Sequence, residues 1–187
     1  FTLESGLSQA VKMRGRNNKM QVCVAHNTPT VPFVISGFAA DADVDSQGTT
    51  GNGGGIYYCE ATNCGGLARV DRASDSGPNL YMRDVEVVGN KGFDLTSTGL
   101  SPIELFGTKN IEAHSNLIDG HVSTLGAIFA GGESAVSPII NANIHHNHID
   151  GGNKIIAYTF ATKCKFNDNT FENLTAGVVL NTINTGV

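Results

Sequence analysis

Two stretches of the chain, IEAHSNLIDG (111–120) and ANIHHNHIDG (142–151), carry the same motif, N-x-I-D-G. It falls on Asn116, Ile118, Asp119 and Gly120, and 31 residues later on Asn147, Ile149, Asp150 and Gly151. A third copy, CKFNDNTFEN (164–173), places Asn169 22 residues after Asn147, with Phe171 for the isoleucine and Glu172 for the aspartate. Upstream, VEVVGN (85–90) sets Asn90 26 residues before Asn116. A unit repeated four times at 22 to 31 residues constrains the fold strongly. A unit this short cannot bury its own apolar face, so it must stack on its neighbours.

Each copy alternates apolar and polar residues before the asparagine. Val85 and Val87, Ile111 and Ala113, Ala142 and Ile144, and Cys164 and Phe166 are apolar at period two, as in a half-buried strand. After the asparagine and a turn comes a second apolar strand: IELFG (103–107), GAIFAG (126–131), IIAYTF (155–160) and GVVLN (177–181). Strand, asparagine turn, strand and variable loop make one coil of a parallel β-solenoid. Equivalent residues then form rows along the axis, spaced about 4.8 Å apart.

The aligned Asn90, Asn116, Asn147 and Asn169, with the flanking N-x-I-D-G, resemble the right-handed parallel β-helix of the pectate-lyase-like superfamily. The resemblance implies an all-β fold with irregular coils of about 22–31 residues and an inward asparagine ladder. Such amides bond to each other and to the backbone of adjacent coils. It covers residues 80–181 well. Residues 1–79 are less regular, with PFVISGFAADADV (32–44) and GGGIYYCEA (53–61) as candidate earlier coils around a Gly-rich loop. Uneven coils rich in Asn, Gly and Thr are most similar in style to phage tail-spike and capsule-depolymerase proteins. That resemblance implies a homotrimer, in a virion or secreted, that binds and cleaves a bacterial surface polysaccharide. No cluster matches the calcium-binding aspartates and catalytic arginine of the pectate lyases.

Composition bounds the alternatives. A length of 187 residues fits one domain. At 40% hydrophobic the chain is too apolar for disorder. A net charge of -5 argues against a nucleic-acid partner. Lys12, Arg14, Arg16 and Lys19 form a basic run expected to be a solvated turn. No apolar run approaches the roughly 20 residues of a membrane span. The chain opens on Phe1 and its end, NTINTGV, does not look like a cap, so a piece of a longer protein is expected. Cys59 and Cys64 flank a short turn and are candidates for a disulfide, whereas Cys164 is expected in the core.

The repeat also assigns outward residues. If Ile111 and Ala113 point inward, Glu112 and His114 point outward. One outward row then reads Glu86, Glu112, Asn143, Lys165, and the next Val88, His114, His145, Asn167. Carboxylates on adjacent coils lie about 5 Å apart at the backbone, near the separation used by retaining glycosidases. Two such charges would hold one of the pair protonated. Glu86 and Glu112 are therefore the candidate catalytic pair. Glu104, alternating outward on the second strand, is the next carboxylate. For β-elimination, His114, His145 and Lys165 supply a base and a charge neutraliser. Asn143, Asn167 and Tyr158 are candidate sugar contacts, and Tyr57, Tyr58 and Tyr81 offer further aromatic faces.

Competing explanations are simpler for several features. An exposed solenoid face needs polar residues whatever it does. Asp119 and Asp150 precede Gly in ordinary turn chemistry. In NIHHNHIDGG (143–152), His146 and His148 flank the inward Asn147, so three imidazoles are not expected to converge on one ion and no metal site is expected there. DADVDSQG (41–48) starts like a calcium loop but has Ser46 and Asn52 where Gly and Glu belong, which leaves at most a loosely bound calcium ion. GTTGNGGG (48–55) lacks the Lys of a phosphate loop and is expected to be flexible. NLT (173–175) is a formal glycosylation acceptor. Two functions remain: a polysaccharide depolymerase, acting as hydrolase or lyase without a cofactor, and a non-catalytic receptor-binding or structural module of an adsorption fibre.

Overall fold

The computed structural model describes residues 2–4, 11–14, 17–37, 49–72, 81–131, 139–152 and 156–175. Among these residues every regular element is a strand. The strands form three sheets, and every pairing is parallel. Sheet I contains β3 (Asn18–Gln21), β6 (Thr49–Asn52), β7 (Gly54–Tyr57), β10 (Tyr81–Val88), β13 (Thr108–His114), β16 (Ile139–His145), β19 (Ala161–Thr162) and β20 (Lys165–Asn167). Sheet II contains β1 (Thr2–Glu4), β4 (Val24–His26), β8 (Glu60–Thr62), β11 (Lys91–Leu95), β14 (Leu117–His121), β17 (His148–Asp150) and β21 (Thr170–Glu172). Sheet III contains β2 (Val11–Arg14), β5 (Phe33–Ser36), β9 (Ala68–Asp71), β12 (Ile103–Phe106), β15 (Ile128–Gly131) and β18 (Ile156–Thr159). Each passage through sheets I, II and III is one coil, and consecutive coils stack in strand order, as a parallel β-solenoid requires. Each coil thus has three strands, not two. The segment after the asparagine, expected as a turn, is itself a short strand of sheet II.

Backbone conformation explains the corners. In six successive coils, residues five apart have positive φ: Asn17, Val22, Asn27; Gly53, Tyr58, Asn63; Asp84, Gly89, Asp94; Asn110, Ser115, Gly120; Asn141, His146, Gly151; and Lys163, Asp168, Asn173. The left-handed region is favourable for Gly and tolerable for Asn and Asp, and 13 of these 18 positions hold one of the three. The chain therefore bends at the same three places in every coil. The first bend lies within sheet I, the second leads into sheet II and the third lies at the end of sheet II.

The coils begin earlier than the asparagine repeat implies. Lys12 and Arg14 are the exposed members of an alternating strand, not a turn. GTTGNGGG contributes β6 and β7 to sheet I, so most of it is strand and not a flexible loop. Its glycines serve close approach: a Cβ on Gly54, at φ +88°, would lie 2.0 Å from Asn18 O. The aspartates of DADVDSQG, and with them the calcium expectation, lie outside the described residues.

Inward side chains form one continuous core that includes Ile56, Val87, Ala113 and Ile144 in sheet I, Ala61, Ile118 and Ile149 in sheet II, and Leu105, Ile128 and Ala130 in sheet III. At the second bend runs a buried amide ladder. Asn90 Nδ2 donates to Asn116 Oδ1 (3.0 Å), Asn116 Nδ2 to Asn147 Oδ1 (2.9 Å) and Asn147 Nδ2 to Asn169 Oδ1 (2.9 Å). Each amide also donates to a carbonyl of the preceding coil: Ile56 O, Val87 O, Ala113 O and Ile144 O in turn. Each Oδ1 further accepts the backbone N–H of the residue one coil earlier, with Cys59 N–H on Asn90 Oδ1 closing the series. Cys59 holds the same position in its coil that asparagine holds later. Cys59 and Cys64 are both buried and free. Their thiols face different carbonyls, Tyr57 O for Cys59 and Ala25 O and Thr62 O for Cys64, and the candidate disulfide is not formed.

Candidate active face on sheet I

Parallel register turns the two predicted outward rows into real neighbours. Glu86 pairs with Glu112, Glu112 with Asn143, and Asn143 with Lys165. Val88 pairs with His114, His114 with His145, and His145 with Asn167. Glu86 and Glu112 are both exposed, each flanked in sequence by buried apolar residues that anchor the strand to the core.

The carboxylates have different partners. Tyr57 Oη lies 3.0 Å from Glu86 Oε2 and 3.0 Å from Gly54 O. Burial of the phenol, reinforced by its hydrogen bond to Glu86 and the charge there, pushes its pKa up to about 12. Tyr57 therefore remains a donor to Glu86 throughout the neutral range. Glu112 Oε2 instead lies 3.8 Å from His145 Nε2. The His114 and His145 rings stack at 4.8 Å with planes 13° apart. Burial, and then the neighbouring His145 charge, lowers the His114 pKa, with Glu112 and Glu86 opposing. His114 Nδ1 lies 3.1 Å from Ser115 Oγ, and His145 Nδ1 lies 2.7 Å from His146 Nδ1. His148 sits on sheet II, away from this cluster.

Beside the carboxylates is a shallow depression of about 230 Å³ lined by Asn110, Ile111, Glu112, Asn141, Asn143 and Lys165. Its rim is stiffened by a second, exposed amide row. Asn141 Nδ2 donates to Asn110 Oδ1 (3.0 Å), and Asn110 Nδ2 to Asp84 Oδ1 (3.0 Å). These three residues occupy the first left-handed bend. The period-two alternation does not mark them; their five-residue spacing from the second bend does. Asn167 is exposed and bonded to Asp168 Oδ2 at 2.6 Å. Tyr58 is exposed at the second bend. The backbone of Tyr158 lies in β18 opposite Ala130, on sheet III and apart from the face, and its side chain is outside the described structure.

Glu104 does not join this face. It belongs to sheet III, and its outward side is covered: Glu104 is 1% exposed. Its Oε1 accepts the Ser101 N–H at 3.1 Å, and its Oε2 pairs with Arg69 at 3.4 Å. Arg69 also holds Asp71 at 2.8 Å, and Asp71 accepts a short hydrogen bond from Ser36. Burial raises the Glu104 pKa against the opposing Arg69 charge. The alternation rule could not show that Glu104 is buried against Arg69 and the Ser101 backbone. Asp119 and Asp150 pair in register on sheet II, beside the glycines of the third bend, in keeping with a turn role.

Comparison of the chain with protein-family models, with curated proteins and with solved structures finds no match. Functional inference therefore rests on the geometry of this face.

Proposed function

We propose that the sheet I face binds a linear polysaccharide and cleaves it. The observation that carries this is the Glu86–Glu112 pair, exposed and in register on adjacent strands, beside stacked imidazoles and an amide-lined depression. A long, shallow solenoid face suits an extended polymer. Adjacent strands place the two residues about 4.8 Å apart at the backbone, compatible with the carboxylate spacing of retaining glycoside hydrolysis. In that chemistry Glu86, which already accepts the Tyr57 hydrogen bond, attacks or acts as base, and Glu112 donates the proton to the leaving oxygen. In β-elimination, His114 or His145 would take the proton and Lys165 would neutralise the uronate. Asn143 and Asn167 would bond sugar hydroxyls.

Uneven coils and the asparagine ladder support assignment to the right-handed parallel β-helices of the pectate-lyase-like superfamily. In style the chain remains most similar to tail-spike depolymerases, which are homotrimers of phage virions acting on bacterial surface polysaccharide. The test is incubation with a panel of bacterial capsular polysaccharides, following new reducing ends and the absorbance of unsaturated uronic acid. Reducing ends alone indicate hydrolysis, and both signals indicate a lyase. Binding with neither product would reject the enzyme and leave a receptor-binding module.

A further inference from the structure

We propose that Glu112, His114 and His145 form a binding site for one Zn²⁺ ion. One ligand atom from each residue lies within 4.8 Å of the other two. Two imidazoles and a carboxylate are a donor set that zinc takes with a further position left to water or a ligand. The nitrogen donors disfavour calcium and magnesium, which take oxygen ligands.

The surroundings favour a metal over a chance cluster. A histidine ligand binds through one ring nitrogen while a neighbour holds the other. Both histidines meet that requirement. With its proton on Nδ1, His114 would donate to Ser115 Oγ at 3.1 Å and keep Nε2 as a lone pair. With its proton on Nδ1, His145 would donate to His146 Nδ1 at 2.7 Å and keep free the Nε2 that faces Glu112 Oε2. His146 thus acts as a positioning residue, which accounts for one further histidine of NIHHNHIDGG. The strands that carry the donors are fixed by core residues Ile111, Ala113 and Ile144. Tetrahedral zinc holds its nitrogen ligands about 3.4 Å apart. The donor atoms lie within 4.8 Å of one another, so reaching that spacing takes rotation of the stacked His114 and His145 rings together with Glu112, whose side chain is 50% exposed.

The site shares Glu112, His114 and His145 with the proposed active face, and zinc held there would replace their acid–base roles, so it is tested by metal binding without any sugar. Metal-stripped protein is titrated with ZnCl₂ by calorimetry, and separately with CoCl₂, whose visible absorption reports coordination. One equivalent of zinc should bind, and cobalt should give the intense visible bands of a tetrahedral site. The variants His114→Ala and His145→Ala should each weaken zinc binding by about 100-fold or more, since even outer partners of a ligand contribute 10- to 100-fold. His148→Ala, on another sheet, should leave it unchanged. Far-UV circular dichroism confirms that each variant is folded. The proposal is overturned if no zinc binds, if His114→Ala or His145→Ala binds as tightly as the parent, or if His148→Ala abolishes binding.

Discussion

Replacing Asn116 by Ala strikes the amide ladder at its centre. The side chain makes two donated bonds, to Val87 O and Asn147 Oδ1, and its Oδ1 accepts two, from the Asn90 backbone N–H and Asn90 Nδ2. All four vanish in the variant. Asn147 Oδ1 keeps the Asn116 backbone N–H, but the Asn90 N–H and one Asn90 amide hydrogen are left buried without an acceptor. Asn90 and Asn116 are 0% and 1% exposed, so water cannot replace the lost partners. A stranded buried donor costs about 1–3 kcal/mol. The two donors, together with the weakened contact at Val87 O, place the loss at about 3–5 kcal/mol. Asn169→Ala removes the same kind of group at the half-buried end of the series, where water reaches the site, and should cost only about 1–2 kcal/mol. Urea unfolding followed by circular dichroism measures both. A loss under about 1 kcal/mol for Asn116→Ala, or equal losses for the two variants, would refute the ladder as a source of stability.

Other expectations follow from single residues. Val22 is β-branched with φ 53° and is 63% exposed, so Val22→Asn should stabilise by about 0.5–1 kcal/mol in the same assay by relieving backbone strain without touching the core. His121 is buried, with no hydrogen-bond partner for either ring nitrogen among the described residues, and burial lowers its pKa. The unfolded imidazole takes up a proton below about pH 6.5 while the folded one resists it. Stability present above that pH should therefore fall on acidification, and His121→Leu should flatten the profile between pH 7 and 5. Of the four tyrosines, Tyr57 should ionise near pH 12, and its ultraviolet titration should disappear in Tyr57→Phe and move toward the ordinary value in Glu86→Gln. Because the folded pKa lies above the unfolded one, the stability tied to the Tyr57 proton should be lost as pH rises past about 10.

Much of the fold was legible because solenoid register is arithmetic. The offsets of 26, 31 and 22 between asparagines place Glu86 beside Glu112 and His114 beside His145 without further information. Two coils were blurred because Cys59, and Cys23 36 residues before it, occupy the ladder position, and a search for asparagine passes over them. The ten-residue spacing of Asn, Asp and Gly between the first and third bends would have found those coils, since Asn17 and Asn27, and Gly53 and Asn63, already follow it. Sheet II was hidden because its strands are short and run into the left-handed third bend. The burial of Glu104 was not legible, since it comes from its pairing with Arg69, 35 residues earlier on the adjacent strand, and from the Ser101 N–H. The pairing of His145 with His146 through their Nδ1 atoms was also out of reach, because adjacent strand residues normally point to opposite faces and only the left-handed bend at His146 brings them together.

The most direct test of the proposed function compares the parent protein with Glu86→Gln and Glu112→Gln on a polysaccharide that the parent binds and cleaves. Both carboxylates are exposed, so both variants should fold and should still bind the polymer. Each should lose at least about 100-fold in the rate at which new chain ends appear, the scale of positioned acid–base chemistry. Unchanged cleavage by either variant would contradict the assignment of the pair as the catalytic centre.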